Sequence, residues 1–299
     1  MRYDNILDST GHTPLVEIVG MSPKKGVRIF AKLEGYNPTG SIKDRAAKYM
    51  IQKAEESGEL TPDKTILEAT SGNTGIALAM IGRKKGYKVE IVIPDNVSIE
   101  RKQVLKLYGA EIVLSEGNKG TNGAIELARK LAQHGNYYMP DQFANPTNYV
   151  AQYETTGVEI LEDLHGLRID TFIAGIGTGG TLMGVGKKLK ESNPQVRLAG
   201  VEPDLHDPIE GLRCVLAGFI PPILDLDFID ERFVVSNENA ARTTRELVTR
   251  EGIFAGISSG ATVYCASQIA HEMKEGIIVV ILADGGWKYL STGIWPVSS

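Results

Sequence analysis

Pro38-Thr39-Gly40-Ser41-Ile42-Lys43-Asp44-Arg45 is the stretch on which the reading of this chain turns. An apolar, strand-like run, Val27 to Leu33, precedes it, and Ala46-Ala47-Lys48-Tyr49-Met50-Ile51, which reads as a helix, follows it. Pro38 and Gly40 impose a turn. Thr39 and Ser41 suit an N-cap and Asp44 the first helical turn, so a helix is predicted over Ser41–Ser57. Lys43 then stands at the positive end of that helix, where a cation is disfavoured. A lysine ammonium placed beside positive charge, or desolvated, gives up its proton more readily and serves as an amine nucleophile. The plainer alternative is a solvated surface lysine, and the turn alone leaves it open.

Outward from this turn, apolar β-rich runs alternate with helix-period segments. Strands are predicted at Val27–Leu33, Thr65–Ala69, Val89–Pro94, Glu111–Leu114, Thr171–Gly175, Arg197–Val201, Arg232–Val235 and Ile277–Ala283. Helices are predicted at Thr74–Lys85, Ser98–Tyr108, Asn122–His134, Asn148–His165, Thr181–Ser192, Asn237–Arg250 and Ala261–Lys274. Several strands are continuously apolar, as when helices cover both faces of a parallel sheet. The rhythm predicts an α/β fold of two open, mostly parallel twisted sheets with helices on both faces. The aperiodic, proline-bearing stretch Pro140–Asn148 suggests a division into residues 1–145 and 146–299, an early strand being free to cross into the second part. A second irregular segment, Glu202–Asp230, is long enough to be functional rather than a passive connector.

Composition removes whole classes of function. The 299 residues are 42% hydrophobic and 23% charged, ordinary for a globular chain. A formal charge of −5 without a basic cluster argues against nucleic acid as a partner. Cys214 and Cys265 form no disulfide framework and fit a reducing, cytoplasmic setting. The five histidines have no metal-ligand spacing, so no metal is expected. The amino terminus lacks a signal-peptide core, and the longest apolar run, Ile277 to Ala283, is too short for a bilayer, so no membrane partner is expected.

Three hydroxyl-rich glycine turns follow strands: Thr70-Ser71-Gly72-Asn73-Thr74-Gly75, Gly175-Ile176-Gly177-Thr178-Gly179-Gly180-Thr181 and Ala255-Gly256-Ile257-Ser258-Ser259-Gly260-Ala261. A strand-to-helix turn of this kind offers backbone N–H groups to an anion. The second is a phosphate cradle by composition, though not a Walker A loop; it resembles a dinucleotide fingerprint only loosely, with Glu202 on the next strand as a suitable acidic residue. Any one of these loops could be a plain turn. Together with the lysine turn they suggest a phosphorylated cofactor that reacts with an amine, which is pyridoxal phosphate.

The same segments carry a family resemblance. Gly11-His12-Thr13-Pro14-Leu15, Asn37–Arg45, Thr70–Gly75, Asp141-Gln142-Phe143-Ala144-Asn145-Pro146, Gly177–Thr181, Gly256–Gly260 and Tyr289-Leu290-Ser291-Thr292 resemble, in order and spacing, the cysteine synthases. These are fold-type II (tryptophan synthase β-like) pyridoxal-phosphate enzymes, and the chain is most similar to the B-type, O-phosphoserine-using branch. The resemblance implies that Lys43 is the Schiff-base lysine and the base at Cα. It implies that Asn73 contacts the cofactor ring oxygen, and that Gly177, Thr178, Gly179, Gly180 and Thr181 hold its phosphate. Thr70, Ser71, Gly72, Thr74 and Gln142 would hold the substrate carboxylate. Ser258 would face the pyridine nitrogen, although Asp284, at the end of the last apolar strand, is a rival for that place or a turn cap.

The implied reaction is a β-replacement on an O-activated L-serine, O-phosphoserine or O-acetylserine, giving L-cysteine. The implied sulfur donor is sulfide or a thiocarboxylated carrier protein, and the implied assembly is a homodimer. Arg213 resembles the arginine that binds the substrate phosphate, as Trp287-Lys288 also resembles that branch; its plain alternative is a surface pair with Glu210. Two other readings stay open: a cystathionine β-synthase-type condensation of serine with homocysteine, and a non-catalytic binding protein on the same fold.

Overall fold

The long apolar runs fold as strands, and two short strands without a periodic signature join them. The strands are β1 (Leu15–Glu17), β2 (Val27–Leu33), β3 (Thr65–Ala69), β4 (Lys88–Pro94), β5 (Glu111–Ser115), β6 (Tyr137–Tyr138), β7 (Thr171–Gly175), β8 (Arg197–Pro203), β9 (Glu231–Val235) and β10 (Gly276–Leu282). The helices are α1 (Lys43–Ser57), α2 (Asn73–Lys85), α3 (Ile99–Leu107), α4 (Gly120–Ala132), α5 (Thr147–Glu154), α6 (Thr156–Asp163), α7 (Gly180–Ser192), α8 (Asn237–Glu251) and α9 (Ile257–Glu272). The structure is a computed structural model that describes residues 2–70 and 72–295.

Contacts divide the chain into two compact units, Met1–Thr10 with Lys43–Asn148, and Gly11–Ile42 with Tyr149–Ser299. The division falls after Asn148, and an early segment crosses into the second unit. Gly11–Ile42 goes with the second half because β2 pairs in parallel with β10 along its whole length, from Val27↔Gly276 to Leu33↔Leu282. A buried network reinforces this placement. Lys32 donates to the carbonyl of Thr13 at 2.7 Å and pairs with Glu159 of α6 at 3.0 Å.

The larger unit holds a six-stranded sheet in the order β1-β2-β10-β7-β8-β9, parallel except for the antiparallel edge strand β1. Its continuously apolar strands split by parity into two cores. Ile278, Val280 and Leu282 face one way and pack with Ala261, Ala266 and Ile269 of α9. Ile277, Val279 and Ile281 face the other way and pack with Leu182, Val185 and Leu189 of α7. Helices on both sides thus leave no face of the central strand wet, and each buried aliphatic side chain contributes roughly 1.5–3 kcal/mol. The smaller unit has an all-parallel sheet, β5-β4-β3-β6, with α1 and α2 over Ile66, Ile91 and Ile93. Among the described residues no helix is long and apolar enough to cross a membrane.

Two helices differ from expectation. The predicted helix Asn148–His165 is interrupted at Thr155, whose hydroxyl donates back to the carbonyl of Ala151 at 2.5 Å; this side-chain competition separates α5 from α6. Conversely, α9 begins at Ile257, not Ala261, so Ser258, Ser259 and Gly260 lie in its first turn rather than in a loop. Gly260 is there for packing: a Cβ would collide with Thr244 Oγ1 and the carbonyl of Ala240 on α8.

Candidate active site

In the smaller unit, β3 ends at Ala69 and α2 starts at Asn73, so the turn between them sits at the carboxyl end of a parallel sheet. Thr70 is buried, and its Oγ1 accepts the N–H of Gly72 at 3.1 Å. Thr74 Oγ1 donates to Gln142 Oε1 at 2.6 Å, and Gln142 Nε2 donates to the carbonyl of Ala69 at 3.2 Å. Asn148 Nδ2 in turn donates to the carbonyl of Gln142 at 2.8 Å. Thr70, Gly72, Asn73, Thr74 and Gln142 are therefore brought together. Ser71 lies outside the described residues.

Two residues at this turn went unanticipated. Arg101, buried in the first turn of α3, packs its guanidinium on Gly72, where a Cβ would lie 3.0 Å away. Glu68 is only 1% exposed, and its carboxyl accepts the N–H of Ala69 at 3.0 Å and of Gln142 at 3.3 Å. Burial, and then the nearby Asp141 carboxylate, push the Glu68 carboxyl up to about 8. The available signal was an acid inside an otherwise apolar strand, which is rare without a partner.

Lys43 is the first residue of α1. The turn before it belongs to the larger unit and is tied to the carboxyl end of β10. Ile42 N–H donates to the carbonyl of Ala283 at 2.9 Å, and the Gly40 carbonyl accepts both Gly285 N–H and Lys288 Nζ at 3.1 Å. Gly40 adopts φ +77°, and a Cβ there would lie 3.1 Å from the Trp287 indole nitrogen. Both facts require glycine.

Also in the larger unit, the loop after β7 enters α7 at Gly180. Gly179, at φ +87°, leaves no room for a Cβ, which would lie 2.7 Å from Leu224. Thr178 Oγ1 accepts the Gly180 N–H at 3.3 Å, and Thr181 brings a second hydroxyl into the first turn. The early N–H groups of α7 have no acceptor within their own helix. With the helix dipole behind them they fit a phosphate monoester.

The irregular segment packs on this loop. Arg213 N–H donates to the carbonyl of Ile176 at 2.7 Å, and the carbonyl of Gly211 would lie 3.2 Å from a Cβ at Gly177. Gly211 also adjoins Ser258, whose Oγ would be 3.8 Å from a Gly211 Cβ. Ser258, Gly211 and the cradle thus converge. Asp284 lies beside Gly256, the residue before α9, and Tyr289 OH donates to its Oδ2 at 2.7 Å. The Arg213 guanidinium stacks over Phe219 at 4.9 Å, and burial lowers its pKa. Glu202 serves the segment rather than a ribose, accepting Val215 N–H at 2.6 Å and pairing with Arg232 at 3.0 Å.

An α/β protein with an anion cradle at one helix start and a lysine at another belongs to the class of enzymes that hold a phosphorylated, amine-reactive cofactor. The chain belongs to the pyridoxal-phosphate dependent enzyme family, whose model matches residues 6–284, and its cofactor is pyridoxal phosphate. It is 43% identical over 300 residues to a cysteine synthase of Staphylococcus aureus, covering 98% of this chain and 97% of the relative. It is 44% identical over 292 residues to a cysteine synthase B of Salmonella typhimurium, covering 97% and 96%. Among solved structures it resembles an O-ureido-L-serine synthase, with a TM-score of 0.94 and 39% identity over 100% of this chain and 98% of that one.

Proposed function

We propose that the protein is a cysteine synthase, replacing the activated β-oxygen substituent of an O-acylated or O-phosphorylated L-serine by sulfur. The observation that carries the reading is Ser258, a neutral hydroxyl 5% exposed in the first turn of α9, beside Gly211 and through it the cradle. Pyridoxal phosphate, when bound, supplies an aldehyde for amines and a ring that withdraws electrons from Cα. A hydroxyl at the ring nitrogen, unlike a carboxylate, would not hold a proton there, which would favour loss of the β-substituent over transamination.

Gly177 to Thr181 would hold the cofactor phosphate with N–H groups and hydroxyls. Asn73 would donate to the ring oxygen. Thr70, Ser71, Gly72, Thr74 and Gln142 hold the substrate carboxylate, which orients Cα–H toward Lys43. Lys43 Nζ would hold the cofactor by its amine and would be the base placed for the Cα proton. Arg213 binds the phosphate of O-phosphoserine, for which a guanidinium is a bidentate partner. The protein works as a cytoplasmic homodimer, drawing sulfur from sulfide or from a carrier protein.

Steady-state assays of the cofactor-loaded protein test this. O-phosphoserine and O-acetylserine with sulfide should yield L-cysteine, and Lys43→Ala should abolish it. Faster condensation of L-serine with homocysteine than of either activated serine with sulfide would overturn the reading in favour of a cystathionine β-synthase.

A further inference from the structure

The carboxylate-binding turn and Gln142 lie far apart in the chain, and Glu68 is the group that joins them. It sits one residue before the end of β3, and its carboxyl accepts the N–H of Ala69 on its own strand. The same carboxyl accepts the N–H groups of Asp141 and Gln142 from the turn that returns 74 residues later. That turn is strained: Asp141 adopts φ +48°, a left-handed conformation that a non-glycine residue holds only when its surroundings impose it. The Asp141 carbonyl is engaged by the N–H groups of Ala144 and Asn145, both at 2.9 Å, so the turn is closed on its other side. The Asn148 amide holds the Gln142 carbonyl at 2.8 Å, and the Glu68 carboxyl holds the N–H groups on the side that faces β3.

Resting on the proposed carboxylate site, we infer that Glu68 is a positioning residue for the bound amino acid: it pins the Asp141–Gln142 turn to the end of β3 and so presets the Gln142 amide opposite the Thr70–Thr74 loop. The titratable surroundings give this role a pH signature. Asp141 faces the carboxyl from the turn and is itself paired with Arg129 of α4 at 3.5 Å. Tyr138 faces it from β6, the residue paired with it on β4 is the apolar Ile91, and α1 brings the buried Asp44 and Arg45 to the same unit. Near neutral pH Glu68 is therefore protonated and adds no charge beside an incoming carboxylate. Above about 8 it ionises and opposes that carboxylate.

Calorimetric titration of the cofactor-loaded enzyme with L-alanine, which has no β leaving group, tests the assignment at about pH 6.5 and about pH 9. Glu68→Ala should weaken L-alanine about tenfold or more at both pH values, with bound cofactor content unchanged. Glu68→Gln carries no charge and keeps one of the two acceptor oxygens that the Ala69 and Gln142 N–H groups use. Its affinity relative to wild type should rise from the lower pH to the higher one. The α-amine of the ligand titrates equally in both proteins, so the difference between them isolates Glu68. If Glu68→Ala does not fold, Glu68→Leu, which offers neither acceptor, takes its place and should weaken L-alanine to the same extent at both pH values. Gln142→Ala distinguishes the two failures. Unaltered L-alanine binding in Gln142→Ala overturns the carboxylate site and the inference with it. Weakened binding in Gln142→Ala, with Glu68→Ala or Glu68→Leu equal to wild type at both pH values, overturns the role of Glu68 alone.

Discussion

The hydroxyl of Thr74 donates a 2.6 Å hydrogen bond to the side-chain oxygen of Gln142, joining the start of α2 to a turn 68 residues away. Both groups are buried, and the bond fixes which end of the Gln142 amide faces the loop. Its NH2 end is then committed to the Ala69 carbonyl and to whatever the loop binds.

Breaking this pair should therefore act on substrate capture more than on turnover. Removing one partner of a buried hydrogen bond costs about 1–3 kcal/mol. Thr74→Val and Gln142→Ala should raise the KM for the activated serine roughly 5- to 150-fold, with smaller changes in kcat. Steady-state kinetics give the split; a fall in kcat at constant KM would contradict it.

Arg213 should separate the two activated serines. A charge-assisted bidentate bond to phosphate contributes about 1.5–3 kcal/mol, so Arg213→Ala should raise the KM for O-phosphoserine at least about tenfold. O-acetylserine, which offers no dianion, should change little. Equal effects on both substrates would assign the guanidinium to its stacking on Phe219.

Gly260→Ala should destabilise the larger unit without a change in composition of the site. The new methyl meets Thr244 Oγ1 and the Ala240 carbonyl on α8, and overpacking of this kind costs about 1–3 kcal/mol. Urea denaturation should show a lowered midpoint with an unchanged slope. An unaltered midpoint would mean that α8 and α9 separate at no cost.

Glu68 should also leave a mark on stability. Its folded value, about 8, lies above the ordinary value of 4.5, so between these limits the native state binds the extra proton. The stabilisation is fully present below about 4.5 and lost as pH rises through about 8. Relative to wild type, Glu68→Gln should gain stability across that window, at a slope of at most about 1.4 kcal/mol per pH unit, and level off above it. Denaturant titrations at a series of pH values would show a flat difference if the carboxyl were ionised throughout.

Much of the architecture is local information and was readable as such. The runs Val27–Leu33, Thr65–Ala69 and Thr171–Gly175 are rich in apolar, β-forming residues and fold as strands over those same residues. The glycines at 40 and 179 are demanded by positive φ, a property of one residue and its neighbours. The fold class, the lysine turn and the glycine cradle were legible for these reasons. The sequence by itself therefore determined which long apolar segments become strands, where the chain turns through glycine, and the family to which the chain belongs.

The tertiary structure alone decided the rest. Strand order is non-local: nothing within Val27–Leu33 says that its partner is Gly276–Leu282. The strands β1 and β6 are too short for a period and exist because a neighbour offers hydrogen bonds. Gly260 looks like a loop residue in sequence and is a helix contact in space. Glu68 looks like an isolated charge in an apolar strand; its meaning depends on N–H groups that arrive 73 and 74 residues later. Local propensity and periodicity report what a segment can form, whereas burial, register and the pairing of a buried charge depend on which distant segment folds against it.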